Sequence, residues 1–371
     1  MTKVRVRGEE IRRFILERVA EYPTDITRLT ANHFGITRQA VNKHLKRLVT
    51  EGAITPFGQT RSRSYKLPAI VQWQQTYEIS PDLAEDVIWR NDISLALGNQ
   101  PENVLDIWYY GFTEMLNNAV DHSSGSKILL QIIKTAANTE MLLMDDGIGI
   151  FKKIQMAMNL LDERHALLAL SKGKLTTDPA RHTGEGIFFT SRMFDSFDIL
   201  SGGVYFSHQF GTAEDWIMER PKFGTGTAVW MKLNNHTART KIKIFDHFAS
   251  GDDYGFNKTV VPVRLAQYGN EELISRSQAK RLLARVELFK TVILDFSEVS
   301  GIGQAFADEV FRVFPLKHPD IDLVAIHTNS EVKRMMDRAT RGHQTIEDQT
   351  EEIEAEEKEA EMPENEVNRG S

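Results

Sequence analysis

The chain has 371 residues, of which 41% are hydrophobic and 26% are charged, a balance typical of globular proteins. This length favours two or three domains over a single core. The absence of cysteine excludes disulfides, thiolate metal sites and cysteine nucleophiles. No apolar run approaches the roughly 18 residues that cross a bilayer, and the first residues lack the apolar core of a signal peptide. We therefore expect a cytoplasmic protein without a membrane partner.

The net charge of −7 conceals opposite charges at the two ends of the chain. Residues 1–70 contain fourteen Lys and Arg against six Asp and Glu, whereas residues 347–366 contain eleven acidic residues and one lysine. The basic part suggests a polyanion as partner, and the acidic part is either a solvated segment or an interaction tail. Residues 342–371 have almost no large apolar side chain, so they are predicted to be disordered.

The first 70 residues predict three helices followed by a short β-hairpin. Apolar residues recur at helical spacing over 9–21, a second helix is expected from Ile26 to about Phe34, and a third follows an N-cap at Thr37. The third helix carries polar and basic residues away from its apolar face, and the hairpin adds two arginines. The candidate DNA contacts are Arg38, Gln39, Asn42, Lys43, Lys46, Arg61 and Arg63.

This segment resembles a winged helix-turn-helix, most clearly over residues 34–54. The resemblance implies that the third helix lies in the major groove of duplex DNA, with Arg61 and Arg63 of the wing on the backbone or in the minor groove. Winged helices also serve as protein-binding modules, so a protein partner remains an alternative.

Residues 71–240 predict an α/β domain with an antiparallel sheet. A mixed connection opens the domain, and residues 151–183 within it are polar and helical in parts. The other predicted elements are a long amphipathic helix at about 103–122, strands at 127–133 and 139–144 with a turn at Asn138, a helix from about Gly186 to Phe194, and further strands ending at 228–233.

Two segments of this domain carry side chains suited to nucleotide chemistry. Glu114 and Asn118 are four residues apart, hence on one face of a helix. A carboxylate there can orient a water molecule on a γ-phosphate, and an amide oxygen can ligate Mg²⁺. Asn117 would replace Asn118 in a shifted helix register. Asp145 directly follows a strand, where its carboxylate can accept a hydrogen bond from an adenine amino group.

Glycines and one threonine complete this set. Gly147 and Gly149 allow the backbone to pass close to a base, and Gly184 and Gly186 precede a helix whose N-terminal N–H groups suit an anionic phosphate. Thr227 offers a hydroxyl near the base. Each segment alone is also compatible with an ordinary turn or a buried structural polar group; their order and spacing together carry the inference.

The four segments are those of Glu114 and Asn118, of Asp145 to Gly149, of Gly184 and Gly186, and of Thr227. In their order and spacing they resemble the Bergerat-fold (GHKL) superfamily of gyrase, histidine kinases, heat-shock chaperones and mismatch-repair ATPases, over roughly residues 75–235. The resemblance implies a layer of helices on a sheet that binds ATP and Mg²⁺, with Asn118 as metal ligand and Glu114 as general base. It also implies a mobile lid over 151–183, where Lys172 and Lys174 meet phosphate, and an ATP-dependent homodimer. Residues 71–103 contain no histidine, which argues against histidine autophosphorylation.

Residues 255–341 alternate strands and helices in a small βαβαβα pattern. This part resembles the STAS-like domain of unknown function that accompanies such ATPases, and residues 294–311 are similar to the loop of anti-sigma antagonists. The serine that is phosphorylated in those proteins is matched by Ala305, which argues against phosphorylation at that position. Ser297 and Ser300 are predicted to be turn and strand-end residues.

The sequence therefore predicts an α+β multidomain protein with a winged helix-turn-helix at 1–70, a Bergerat-fold α/β sandwich at 71–240 and a small βαβαβα STAS-like domain at 255–341. The expected function is that of an ATP-binding, ATP-hydrolysing regulator whose nucleotide state controls its binding to DNA or to a protein partner. Two alternatives remain open: a protein-serine kinase or anti-sigma-type switch, and a DNA-dependent defence or repair ATPase.

Overall fold

The computed structural model has mixed helix and sheet, which confirms the predicted α+β class, and it divides into two compact units, Met1–His247 and Phe248–Ser371. Each unit is described by itself. The described residues are 3–59, 62–80, 82–160, 162–175, 184–211, 215–219, 224–249, 256–267 and 272–341. The acidic segment at 342–371, predicted to be disordered, lies outside them.

The first unit begins with three helices and a two-stranded hairpin. The third helix starts after the predicted N-cap, because the Thr37 hydroxyl accepts a hydrogen bond from the Ala40 N–H at 3.2 Å. Ile15, Val19 and Val41 are fully buried between the helices. The elements are α1 (Lys3–Arg18), α2 (Ile26–Phe34), α3 (Arg38–Thr50), β1 (Thr55–Phe57) and β2 (Ser64–Lys66).

A seven-stranded antiparallel sheet follows, in the order β3-β4-β5-β9-β6-β7-β8. The last strand in sequence, β9, therefore lies between β5 and β6 at the centre. The strands are β3 (Val71–Glu78), β4 (Lys127–Lys134), β5 (Asn138–Asp145), β6 (Ser196–Ser201), β7 (Val204–Gln209), β8 (Asp215–Glu219) and β9 (Thr227–Asn234).

One sequence prediction for this sheet was wrong, and one was correct to within a residue. Residues 71–78 form the edge strand β3 rather than part of a mixed connection; Val71, Trp73 and Tyr77 lie on its partly buried face, but its other residues are polar and most of the strand is exposed. The turn predicted at Asn138 covers residues 135–138, and Asn138 is both its last residue and the first residue of β5. The turn is closed by a hydrogen bond from the Thr135 N–H to the Asn138 carbonyl at 2.8 Å.

Helices pack on the sheet face that carries its buried alternate residues. Gly111 allows the longest helix to approach its neighbour closely, since a Cβ at this position would overlap the Phe194 ring. The helices are α4 (Glu85–Ile88), continued by a π-helical segment (Trp89–Ile93) into α5 (Ser94–Leu97), then α6 (Glu102–His122), α7 (Ile150–Ala157), α8 (Glu163–Lys172), α9 (Gly186–Met193) and α10 (Lys241–Phe248).

The helix α10 follows the predicted end of the second domain at residue 240, yet it packs on the first unit. The Phe245 ring lies 4.4 Å from the Phe189 ring and 5.6 Å from the Tyr110 ring, measured between centroids. The first unit therefore continues to His247.

The end of β9 contacts the first helix of the chain. The side-chain amide of Asn234 donates a hydrogen bond to the Glu17 carboxylate of α1 at 3.3 Å. The neighbouring Asn235 is buried in a polar cluster, where its side-chain oxygen accepts from the Thr139 hydroxyl at 2.8 Å and from Gln100 at 3.3 Å. The helices of the N-terminal part are thus joined to the end of the central strand.

The second unit contains a three-stranded parallel sheet in the order β10-β11-β12. Its elements follow the predicted alternation of strands and helices. They are β10 (Lys258–Pro262), α11 (Arg276–Leu283), β11 (Thr291–Asp295), α12 (Gln304–Asp308), a π-helical segment (Glu309–Val313), α13 (Phe314–Lys317), β12 (Asp322–Ile326) and a helix over residues 330–341.

Within the described ranges, no helix has both the length and the apolar character that crossing a membrane requires.

Candidate functional site

A cavity of about 270 Å³ lies in the first unit, lined by residues of α6, α7, β5 and β9 and by the start of α9. This volume is near the lower end of the range for small-molecule sites, roughly 300–1,000 Å³. Its walls combine apolar side chains with several charged and polar ones. The residues assigned to ATP from the sequence that line it are Glu114, Asn118, Asp145, Gly184, Gly186 and Thr227.

The helix α6 contributes the two polar side chains predicted from its spacing. Glu114 and Asn118 are half-buried and line the cavity, whereas Asn117 is not among the lining residues. The Glu114 carboxylate lies directly against Gly186, since a Cβ on this glycine would overlap it. Glycine at this position therefore lets the carboxylate reach the first residue of α9.

Asp145 places a buried acceptor at the end of β5. Its side chain is 6% exposed and accepts a hydrogen bond from the Gly147 N–H at 2.9 Å. Burial raises the pKa of this carboxyl, and the hydrogen bond from Gly147 partly offsets that effect. Gly147 does not line the cavity, but a Cβ there would overlap the Ser123 carbonyl. Its role is thus to let the turn pack against the end of α6.

The beginning of β9 is fixed by contacts with two other segments. The Thr227 hydroxyl accepts a hydrogen bond from the Ile150 N–H at 3.0 Å, and the Ser201 hydroxyl donates to the Gly226 carbonyl at 3.0 Å. Gly226 has φ +100°, and a Cβ on it would overlap the Asp145 carbonyl. Gly149, with φ +90°, does not line the cavity but holds the turn before Ile150.

The N-terminal end of α9 carries an acidic residue that the sequence did not single out. Glu185 is the N-cap of α9; burial raises the pKa of its carboxyl and the Lys174 ammonium lowers it. Burial also raises the pKa of Tyr110, with smaller contributions in the same direction from Glu114 and Glu185. Two carboxylates, Glu114 in the cavity wall and Glu185 outside it, therefore lie near Tyr110, and an anionic ligand at this end of the cavity needs cations.

The predicted lid lysines lie away from the cavity wall. Lys172 is 2% exposed, and neither Lys172 nor Lys174 lines the cavity. The expectation of a polar segment was wrong for residues 166–172, because α8 buries the apolar sequence ALLAL within the unit. Residues 176–183 lie outside the described residues; their flanks are joined by a hydrogen bond from the Leu175 N–H to the Gly184 carbonyl at 3.1 Å.

The DNA-contact candidates of α3 all project from the solvent side of that helix. Arg38, Gln39, Asn42, Lys43 and Lys46 are exposed, while Val41, Leu45 and Leu48 are buried. Arg63, just before β2, is also exposed, and Arg61 lies outside the described residues.

In the second unit, the residues considered above for phosphorylation lie in a helix and in a turn. Ala305 lies in the first turn of α12. The Ser297 N–H and hydroxyl both donate to the Asp295 carboxylate, at 2.9 and 2.8 Å, in the turn after β11. The interpretation of Ser297 as a turn residue is confirmed.

Comparison with known proteins identifies one part of the chain. Among curated proteins, no sequence matches it. A family model described as a STAS-like domain of unknown function (DUF4325) matches residues 278–333, from within α11 to the start of the last described helix. The second unit therefore contains a STAS-like domain, as the sequence predicted.

Proposed function

We propose that the first unit is a Bergerat-fold ATPase domain that binds ATP with Mg²⁺, and that its nucleotide state controls binding of duplex DNA by a winged helix-turn-helix formed by α1–α3, β1 and β2. The observation that carries this proposal is the lining of one cavity by Glu114, Asn118, Asp145, Gly184, Gly186 and Thr227, which lie up to 113 positions apart in the sequence.

Asp145 supports adenine as the base. A buried carboxylate accepts a hydrogen bond from the exocyclic amino group of adenine, whereas guanine presents a carbonyl oxygen at the same ring position and would be repelled. The Thr227 hydroxyl accepts from the Ile150 N–H and lies 3.4 Å from the Ser201 hydroxyl, and it can turn its own proton from Ser201 towards the base. Ile154 and Val229 among the lining residues supply apolar contacts for the ring.

The other end of the cavity suits the phosphates. Gly184 and Gly186 bring backbone N–H groups and the start of α9 to the cavity wall. The donor set fits Mg²⁺, because the amide oxygen of Asn118 is a hard ligand one turn from the Glu114 carboxylate; the bound ion would neutralise phosphate charge. Glu114 would accept a proton from the attacking water.

The exposed face of α3 supports DNA as the second ligand. Three basic and two amide side chains project from this face, whereas the opposite face is buried in the helical core. Lys and Arg neutralise phosphates, and Gln and Asn side chains can form paired hydrogen bonds with adenine.

Nucleotide binding to the full chain tests the proposal. We expect wild-type protein to bind a nonhydrolysable ATP analogue with Mg²⁺ in isothermal titration calorimetry. Asp145→Asn should abolish binding, because the Gly147 N–H already uses one acceptor oxygen and the amide has only one, whereas the carboxylate has two. Asp146→Asn is the matched control, since that carboxylate accepts from Ser126 and Lys127 outside the cavity. Equal affinities in all three proteins would exclude this cavity as the adenine site.

The STAS-like domain supports a second candidate, a protein-serine kinase or anti-sigma-type switch, because this domain resembles the antagonists on which such kinases act. Transfer of labelled γ-phosphate to a protein serine would favour that candidate. ATP turnover stimulated by DNA of any sequence would instead favour a defence or repair ATPase.

A further inference from the structure

Lys153 lines the cavity but belongs to none of the four segments that the sequence predicts to bind nucleotide. Among the described residues that line the cavity, it is the only lysine or arginine. Its backbone is fixed in the first turn of α7, where the Lys153 N–H donates to the Gly149 carbonyl at 3.0 Å. Its ammonium donates to the carbonyl of His122, the last residue of α6, at 2.7 Å.

The position of His122 on α6 shows which part of the cavity this ammonium occupies. Glu114, Asn118 and His122 follow one another at intervals of four residues along one helical face, and four residues advance a helix by about 6 Å. The ammonium thus lies roughly 12 Å along α6 from the level of Glu114. Next to His122, the Ser123 carbonyl accepts from the Ile148 N–H, in the turn that follows Asp145. Lys153 therefore lies towards the end of the cavity that holds Asp145.

A half-buried ammonium at this place has capacity for a second partner. Lysine has three N–H donors, and one is directed at the His122 carbonyl. Burial lowers the pKa of Lys153, while the Asp121 carboxylate acts in the opposite direction. An anionic oxygen bound in the cavity would replace hydrogen bonds to water that the ammonium loses on burial, and the hydrogen bond to the His122 carbonyl would remain.

In a nucleotide that extends from Asp145 to Glu114, the α-phosphate is the anionic group nearest to the base. We propose that Lys153 binds this α-phosphate and makes the cavity select nucleotides over nucleosides. The inference rests on the proposed nucleotide site and assigns its charge recognition to α7 rather than to the predicted lysines of the lid.

Isothermal titration calorimetry on the full chain tests this assignment, with ATP analogue, ADP, AMP and adenosine as ligands. Lys153→Met should weaken the three nucleotides by the same factor, about 10- to 100-fold for one charged hydrogen bond, and change adenosine by less than about twofold. Lys153→Arg should retain part of the affinity because it keeps the charge. Lys152→Met is the matched control, since Lys152 is exposed and its ammonium donates to Gln155.

The outcomes separate the inference from the proposed function. If wild type and Lys153→Met bind nucleotides with equal affinity, the α-phosphate contact of Lys153 is wrong and the proposed ATP site is unaffected. If Lys153→Met loses the same factor in affinity for adenosine and for ADP, the ammonium contacts the base or the ribose. If the loss in affinity grows from AMP to ATP, the ammonium contacts the outer phosphates. Either result overturns the assignment. A wild-type protein that binds no nucleotide would remove both proposals. A melting temperature for Lys153→Met that matches Lys152→Met excludes unfolding as the cause, and Lys153→Arg tests the charge independently.

Discussion

Glu114 is the residue that should separate ATP binding from ATP hydrolysis. Its carboxylate lies against Gly186, at the proposed phosphate end of the cavity, whereas the proposed acceptor for the base is Asp145 on β5. Glu114→Gln should therefore bind ATP normally but hydrolyse it about 10²–10⁴-fold more slowly, the usual effect of losing a general base. Calorimetry and phosphate release measure the two properties separately.

Glu185→Gln is the control for this prediction, because Glu185 is the second carboxylate near Tyr110 and interacts with Lys174. We expect this variant to hydrolyse ATP at a rate close to that of the wild type. If only Glu185→Gln loses hydrolysis, the general base is Glu185 and the role assigned to Glu114 is wrong.

Residues of the cavity could be predicted from the sequence where a short stretch of neighbouring residues indicates their role. Asp145 could be identified because a strand end and a glycine turn occur in one short stretch. Lys153 and Ser201 could not, because their contacts depend on α6 and β9, which are distant in sequence. Gly226 directly precedes the predicted site residue Thr227, but the requirement for glycine at position 226 arises from the approach of the Asp145 carbonyl, which the sequence does not show.

At the scale of elements, α3 should supply the ionic part of DNA binding. Replacing Lys43 and Lys46 by alanine in the full chain removes two exposed charges that face away from the helical core. We expect weaker binding to all duplexes and a slope of log K against log salt that is smaller by about 2, roughly 0.9 per lost phosphate contact. Binding measured by fluorescence anisotropy at several salt concentrations gives this slope.

Lys241 and Lys243 of α10 form a charge-matched control pair in the same unit, and replacing both by alanine should leave the slope nearly unchanged. Equal slopes for wild type and the α3 variant would instead make α3 a protein-binding surface. Asn42→Ala should change the order of preferred sequences more than the slope, because amide side chains read base edges.

Elements with strong apolar periodicity were predicted well, and the others were not. The predicted helix at 103–122 corresponds to α6, and the strands at 127–133 and 139–144 correspond to β4 and β5. The edge strand β3 was missed because five of its eight residues are polar and none of its residues is fully buried. Exposure removes the signal on which such predictions depend.

For the whole molecule, we expect nucleotide and DNA binding to be coupled. The strand β9 connects them physically, because Thr227 at its beginning lines the cavity and Asn234 at its end contacts Glu17 of α1. A coupling free energy of about 1–3 kcal/mol would change DNA affinity about 5- to 150-fold between the nucleotide-free and ATP-bound states. An ATP-dependent homodimer would add to this by presenting two DNA-binding units together.

DNA affinity without nucleotide, with ADP and with a nonhydrolysable ATP analogue tests the coupling. Deleting residues 347–371 should raise the affinity of the nucleotide-free protein, if this acidic segment competes with DNA for the basic N-terminal part. Replacing the acidic residues of the segment by glutamine is the control that keeps its length. Identical affinities in all three nucleotide states would show that the two sites act independently.

The central place of β9 also determines when the first unit can be completed during synthesis on the ribosome. Among the described strands, β3, β4 and β5 can pair as soon as they emerge, and so can β6 with β7, but only β9 joins these two groups. A nascent chain shorter than about residue 234 therefore exposes the inner edges of both groups, where unpaired strands are prone to misassociation. Asp145 meets the backbone of Gly226 only after this step, so a nascent chain completes its cavity only once β9 has been synthesised.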